Sequence, residues 1–68
     1  MELQKMVEKI IGKSPPDAYV VPVDGAGEPT TPDKAVECQA WPLGSFTSDG
    51  RLVTEVAYGR VEDYLARA

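Results

Sequence analysis

The carboxylates are the residues of this chain best suited to chemistry, because its 68 residues include no histidine, the commonest general base. Asp24, Glu28 and Asp33 lie in one stretch rich in glycine and proline, where they could bind calcium or transfer protons. Their spacing does not follow the ligand alternation of an EF-hand. Glu62 and Asp63 are neighbours, and adjacent helical positions project about 100° apart, so their carboxylates do not face one point. The sequence therefore predicts neither a catalytic dyad nor a metal site.

The lone cysteine, Cys38, lies between Val36 and Ala40 in a β-type segment, and free cysteines are among the most buried residues. This position favours a small core residue over a nucleophile. One cysteine cannot form an internal disulfide, and without histidine the chain lacks a zinc ligand set. Gly25 and Gly27 follow a strand-like segment but lack the lysine of a phosphate-binding loop. We therefore expect no cofactor.

The formal net charge is -4, from 11 acidic and 7 basic residues that are scattered along the chain. Nucleic acids and anionic membranes bind clustered lysine and arginine, so we expect neither as a ligand. The first residues are polar and amphipathic, which predicts no secretory signal and no transmembrane helix. A single thiol is compatible with a reducing compartment, and the sequence thus favours a cytoplasmic protein.

A helical stripe of apolar residues predicts an α-helix over residues 2–11. The stripe has the spacing i, i+3, i+4, i+7, i+8 and consists of Leu3, Met6, Val7, Ile10 and Ile11. Lys5 and Lys9 lie one turn apart on its polar side, which is expected to face solvent. Gly12 is expected to adopt the left-handed C-cap conformation, and the two prolines that follow end the helix.

Three segments rich in β-branched and aromatic residues predict strands over residues 18–23, 34–41 and 51–58. Pro22 lacks an amide donor, so the first strand is expected at a sheet edge. Between the first two strands, residues 24–33 predict a long, flexible loop. The Asp49-Gly50 pair predicts a tight turn that joins residues 45–47 to the third strand.

The end of the chain repeats the helical pattern. Val61, Tyr64 and Leu65 recur at i, i+3 and i+4, which predicts a helix over residues 60–68. The order helix, strand, strand, strand, helix predicts one α+β domain over residues 1–68. Its antiparallel sheet has three or four strands, with both helices on one face.

Trp41, the only tryptophan, has two interpretations. In the first, Trp41 and Phe46 flank a kink at Pro42 and turn inward to enlarge a thin core. In the second, Trp41 shares with Glu37 and Gln39 the strand face opposite the helices, where a tryptophan among polar groups is typical of an interface. A bulge at Pro42 would exchange the two faces, so both interpretations stay open.

Residues 19–21, residues 39–42, Gly50 and residues 63–64 resemble the MbtH-like proteins, which bind adenylation domains of peptide synthetases and carry a Trp-Pro after a strand. The chain departs from that pattern in three ways. It has an N-terminal helix that the family lacks, it has Arg51 where the family has a tryptophan, and it lacks the family's C-terminal Trp-Thr-Asp segment. The chain is not assigned to that family.

A chain this short buries a thin core, and without a disulfide or a metal it is expected to share apolar surface with a partner. The apolar helical stripe and the strand edge expected at Pro22 offer such surface. The sequence therefore predicts a non-enzymatic module that binds a protein target, an inhibitor or adaptor of the kind that phages and other mobile elements encode. The predicted binding residues are Trp41, Glu37, Gln39, Met6 and Ile10. The alternatives are a structural subunit that forms homo-oligomers and an enzyme that uses the carboxylates of residues 24–33.

Overall fold

The structure is a computed structural model that describes residues 3–67. Two helices flank a sheet of three antiparallel strands, in the spatial order β2-β1-β3. The elements are α1 (Leu3–Ile11), β1 (Ala18–Val23), β2 (Glu37–Pro42), a 3₁₀-helix (Val53–Glu55), β3 (Gly59–Arg60) and α2 (Val61–Arg67). The predicted α+β class, with a helix at each end, is confirmed. Glu2 and Ala68, which the sequence places in the two helices, lie outside the described residues.

The sheet is covered on both faces because alternate side chains of β1 enter two separate clusters. Val20 lies on the face that the two helices cover, in a cluster of Met6, Val7, Ala18, Val20, Cys38 and Val61. Val21 and Val23 lie on the opposite face, where they pack against Val53 of the 3₁₀-helix. These three valines are fully buried. The helices thus share one face of the sheet, as the sequence predicts.

Helix α1 ends without the predicted glycine cap. Gly12 is not among the glycines with positive φ. Instead, the carbonyl of Ile10 accepts hydrogen bonds from the Ser14 hydroxyl at 2.7 Å and from the Lys13 amide at 3.1 Å. In helices capped by a left-handed glycine, backbone amides after the helix commonly donate to the last carbonyls. Here the Ser14 hydroxyl donates to one of these carbonyls instead.

The expectation that Pro22 marks a sheet edge is wrong, because β1 is the central strand and Pro22 is fully buried. The carbonyl of Pro22 accepts the amide of Thr30 at 3.0 Å, so the backbone groups of Pro22 point away from β2. On that side β3 pairs only with Tyr19 and Val20. A proline is tolerated in this central strand because the neighbouring strand is too short to require its amide.

The third strand does not lie where the alternating pattern predicts it. Residues 45–52 form a small hairpin that is closed by one bridge between Phe46 and Leu52, with Gly50 at a φ of 87° in its turn. The chain then forms the 3₁₀-helix, and Val53 is fully buried against the sheet. Val53, Val56 and Ala57 pack on that face at the helical spacing i, i+3 and i+4. A strand would place Val53 and Val56 on opposite faces. The strand that pairs with β1 on this side is the two-residue β3, which follows the predicted segment.

Candidate protein-binding site

A groove of 460 Å³ lies between α1 and β2. It brings together three of the five predicted binding residues: Met6 and Ile10 from the helix, and Glu37 from the strand. Its lining residues are Lys5, Met6, Lys9, Ile10, Lys13, Val36, Glu37 and Cys38. The remaining two predicted binding residues, Gln39 and Trp41, do not line the groove.

The floor of the groove is apolar. Met6 and Cys38 are buried, Ile10 is half-buried, and Val36 is 50% exposed. The alternating pattern predicts that Val36 points inward with Cys38, but β2 begins only at Glu37, and Val36 precedes it at the mouth of the groove. An exposed aliphatic residue next to buried apolar neighbours is a surface that a partner's side chain can cover.

The rim of the groove is positive. Lys5 and Lys9 lie one turn apart on the side of α1 that faces β2, and Lys13 follows at the same spacing in the turn after the helix. All three are exposed, and within residues 3–67 none has a carboxylate close enough for a salt bridge. We call these residues the lysine stripe. Nearly half of the chain's 7 basic residues are therefore concentrated on one groove of a protein with net charge -4.

The lysine stripe is the part of the site that sequence reasoning missed. The helical pattern predicts that Lys5 and Lys9 face solvent, which they do, but Lys13 follows the predicted helix and nothing in that pattern connects it with them. The i, i+4, i+8 spacing was the available signal. This spacing indicates a binding site only when β2 is known to lie beside that side of α1.

Trp41 lies on the face of β2 opposite the helices, but that face has a core of its own. The indole is half-buried, packs against the cluster of Val21, Val23 and Val53, and donates its Nε1–H to Gln39 Oε1 at 3.1 Å. The strand keeps its alternation up to Pro42, which pairs with Ala18, so no bulge exchanges the faces of Trp41 and Cys38.

Phe46 does not join Trp41 in a core. It is 63% exposed and lies opposite Leu52, which is also exposed, in the isolated bridge of the small hairpin. The expectation that Phe46 turns inward is therefore wrong. The kink after Pro42 directs the chain into this hairpin, where the Phe46 ring has solvent on one side.

We expect Trp41→Ala to lower the free energy of unfolding by about 2 kcal/mol, less than the 3–5 kcal/mol of a fully buried tryptophan. The indole adds apolar area to the second cluster, and Trp41→Phe should retain much of it. Urea denaturation of the two variants checks this. An unchanged stability for Trp41→Ala would mean that the indole contributes nothing to the core.

A second groove, of 670 Å³, lies between α1 and α2. Leu3, Val7, Ile11, Tyr58 and Tyr64 are among its lining residues, so it too has apolar character. Its charges are of mixed sign, since Glu8 and Arg67 both line it. Among the described residues, the groove beside β2 has three lysines and one carboxylate, Glu37, in its lining, so positive charge predominates there.

Cys38, Tyr58 and Tyr64 form a group of weak acids on the helix-covered face. Burial raises the pKa of the Cys38 thiol above its ordinary 9.0, and the neighbouring Glu37 carboxylate adds to the effect. Burial likewise raises the pKa values of Tyr58 and Tyr64 above 10.0, and ionisation of Cys38 would raise both further. The Tyr58 hydroxyl is buried and has no hydrogen-bond partner within residues 3–67.

These raised pKa values predict a loss of stability at alkaline pH. The folded state holds each proton more tightly than the unfolded chain, so the contribution is complete below the ordinary pKa and is lost as pH rises through the folded pKa. The free energy of unfolding should therefore fall above about pH 9. Urea denaturation from neutral to alkaline pH measures the decline, which Cys38→Ala should reduce. A stability that is constant over this range would contradict the prediction.

The carboxylates of residues 24–33 serve local structure. Asp24 Oδ1 accepts the amides of Ala26 at 2.9 Å and Glu28 at 3.1 Å, and Glu28 Oε2 accepts the Ser48 hydroxyl at 2.6 Å. A hydrogen bond from the Thr31 side chain is the main cause of the lowered pKa of Asp33. Among the described residues, no three Cys, Asp or Glu side chains are grouped so that they could hold a metal ion.

The fold and the groove define a small α+β protein with an apolar, lysine-rimmed surface beside an edge strand. Comparison of the chain with protein-family models, with curated proteins and with solved structures gave no match. Neither helix described in residues 3–67 has the length and apolar character needed to cross a membrane.

Proposed function

We propose that this chain is a protein-binding module whose groove between α1 and β2 receives a segment of a partner protein. The lysine stripe beside an apolar floor carries the proposal. Surface lysines on an acidic protein are ordinarily interspersed with carboxylates, whereas within residues 3–67 the groove that these three line has one acidic lining residue, Glu37. The partner segment is therefore acidic, with an apolar residue that covers Val36 and Ile10.

Apolar and electrostatic contacts have separate roles in this site. Covering Val36 and Ile10 removes apolar area from water and supplies affinity. The lysines attract an acidic segment and disfavour basic ones, which supplies specificity and a faster encounter. A module of this kind acts by occupying a partner, either as an inhibitor or as an adaptor. We place it in the cytoplasm, where a single buried thiol such as Cys38 stays reduced.

Selection from a library of short random peptides displayed on phage tests the proposal and does not require the partner to be identified first. The native chain is immobilised, and enriched peptides are synthesised and titrated against it. We expect them to combine carboxylates with at least one large apolar residue. The variant Lys5→Gln/Lys9→Gln/Lys13→Gln should bind them at least tenfold more weakly.

The matched control is Lys34→Gln/Arg51→Gln/Arg67→Gln, which makes the same change in net charge away from the groove. It should bind the peptides almost as well as the native chain. Val36→Ser and Leu65→Ser form a second matched pair, because both residues are exposed but only Val36 lines the groove. Failure to enrich any peptide, or equal weakening by both charge variants, would overturn the proposal.

A second copy of the chain is the alternative occupant, since the protein is itself acidic. Sedimentation of the native chain over a range of concentrations distinguishes the two. We expect a monomer at every concentration. A dimer that the three lysine substitutions dissociate would replace the foreign partner with self-assembly.

A further inference from the structure

We propose that the partner segment binds in extended form and adds to the free edge of β2 as a fourth strand. This inference rests on the proposed function and specifies the conformation of the bound segment. Strand β2 is at one end of the sheet and pairs only with β1 among the described residues. An edge strand presents unpaired amides and carbonyls, which is the surface that β-strand addition uses.

The hydrogen bonds of β1 identify which backbone groups of β2 are free. The carbonyls of Val20 and Pro22 accept the amides of Tyr58 and Thr30. The backbone hydrogen-bonding groups of these alternate residues of β1 therefore point away from β2. The intervening residues, including Val21, point toward β2 and face their register partners there.

The β2 residues Trp41, Gln39 and Glu37 are in register with Tyr19, Val21 and Val23 of β1. Their backbone N–H and C=O groups therefore point toward β1. The N–H and C=O groups of Cys38 and Ala40 therefore point outward, at the open edge. Within residues 3–67, no backbone hydrogen bond from a loop reaches either residue. The end of the open edge is at Pro42, which has no N–H to donate.

The lysine stripe fits an extended ligand. Lys5 and Lys9, four residues apart on α1, are separated by about 6 Å along the helix axis. Alternate residues of a strand are about 6.4–6.8 Å apart and project to the same face. The spacing of carboxylates at alternate positions of a bound strand therefore matches the spacing of Lys5 and Lys9 along α1.

Strand addition also gives a role to the predicted binding residues that lie outside the groove. Side chains of a strand beside β2 alternate between the two faces of the sheet. Those on the helix face reach Met6, Ile10 and the lysine stripe, and those on the other face lie beside Gln39 and Trp41. Both faces of β2 would then contact the partner.

Hydrogen exchange tests this inference, with an acidic peptide selected on the native chain as the probe. Amide exchange is measured by NMR for the free protein and for its complex. We expect the amides of Cys38 and Ala40 to exchange at least tenfold more slowly in the complex. Amides of the distant hairpin, such as Leu52, should keep their rates.

A second measurement uses the same peptide with its backbone amides methylated at alternate positions. Methylation of the alternate amides that donate to β2 should weaken binding at least tenfold. Methylation of the intervening amides, which point away from β2, should have little effect. If both registers bind equally and the exchange of Cys38 and Ala40 is unchanged, strand addition is wrong. The proposed function would still hold after that result if the lysine stripe variant lost binding. If no peptide bound the native chain, both the proposed function and strand addition would be wrong.

Discussion

Substituting Val53 with aspartate is expected to abolish the folded state at neutral pH. Val53 is 0% exposed between the 3₁₀-helix and the sheet, in the cluster with Val21 and Val23. An unpaired carboxylate in such a place costs several kcal/mol. A 68-residue chain has only roughly 3–10 kcal/mol of net stability, so one substitution of this kind removes most or all of it.

Thr54→Asp is the matched control, because Thr54 is the next residue and is exposed. It should fold with a stability close to that of the native chain. Circular dichroism and urea denaturation compare the two variants. In the structure Val53 is the buried residue of this pair and Thr54 is the exposed one. A folded Val53→Asp variant beside an unfolded Thr54→Asp variant would therefore contradict the 3₁₀-helix.

Reversing the charge of the lysine stripe is expected to reverse the choice of ligand. Lys5→Glu, Lys9→Glu and Lys13→Glu together place three carboxylates along the rim that now has three ammonium groups. Peptides selected on the native chain should bind this variant more than tenfold more weakly, since exposed ion pairs contribute about 0.2–1 kcal/mol each and like charges repel. Peptides selected on the variant should be basic.

Two controls accompany the charge reversal. Circular dichroism must show that the variant is folded, which is expected because all three lysines are exposed. Raised salt should weaken native binding, since screening acts on exposed charges. A variant that selected the same acidic peptides as the native chain would show that the lysine stripe does not recognise the partner.

The elements with strong local signals could be predicted from the sequence. The helical stripe predicts the end of α1 at Ile11, and the β-branched run predicts both bounds of β1. The third strand could not be predicted, because residues 51–58 fit both an alternating pattern and helical spacing. Only the packing of Val53 against a sheet already formed by β1 and β2 selects the 3₁₀-helix.

The binding site could be predicted only in part, because it depends on how elements meet. The helical stripe points to Met6 and Ile10, strand alternation points to Glu37, and the fold brings all three to one groove. Residue type leaves Trp41 as either core or interface, and the structure gives it a half-buried place on the second face of the sheet. The sheet order decides both outcomes, since it puts β2 at an edge and β1 in the centre. No local pattern in the sequence encodes that order.

The central claim is that a partner segment occupies the groove between α1 and β2. The most direct measurement is an NMR titration of the isotope-labelled native chain with a selected acidic peptide. The account predicts that the largest chemical shift changes occur at Lys9, Lys13, Val36 and Cys38, and that Phe46 and Leu52 are unaffected. Changes confined to the Phe46–Leu52 hairpin, with none along α1 and β2, would contradict it.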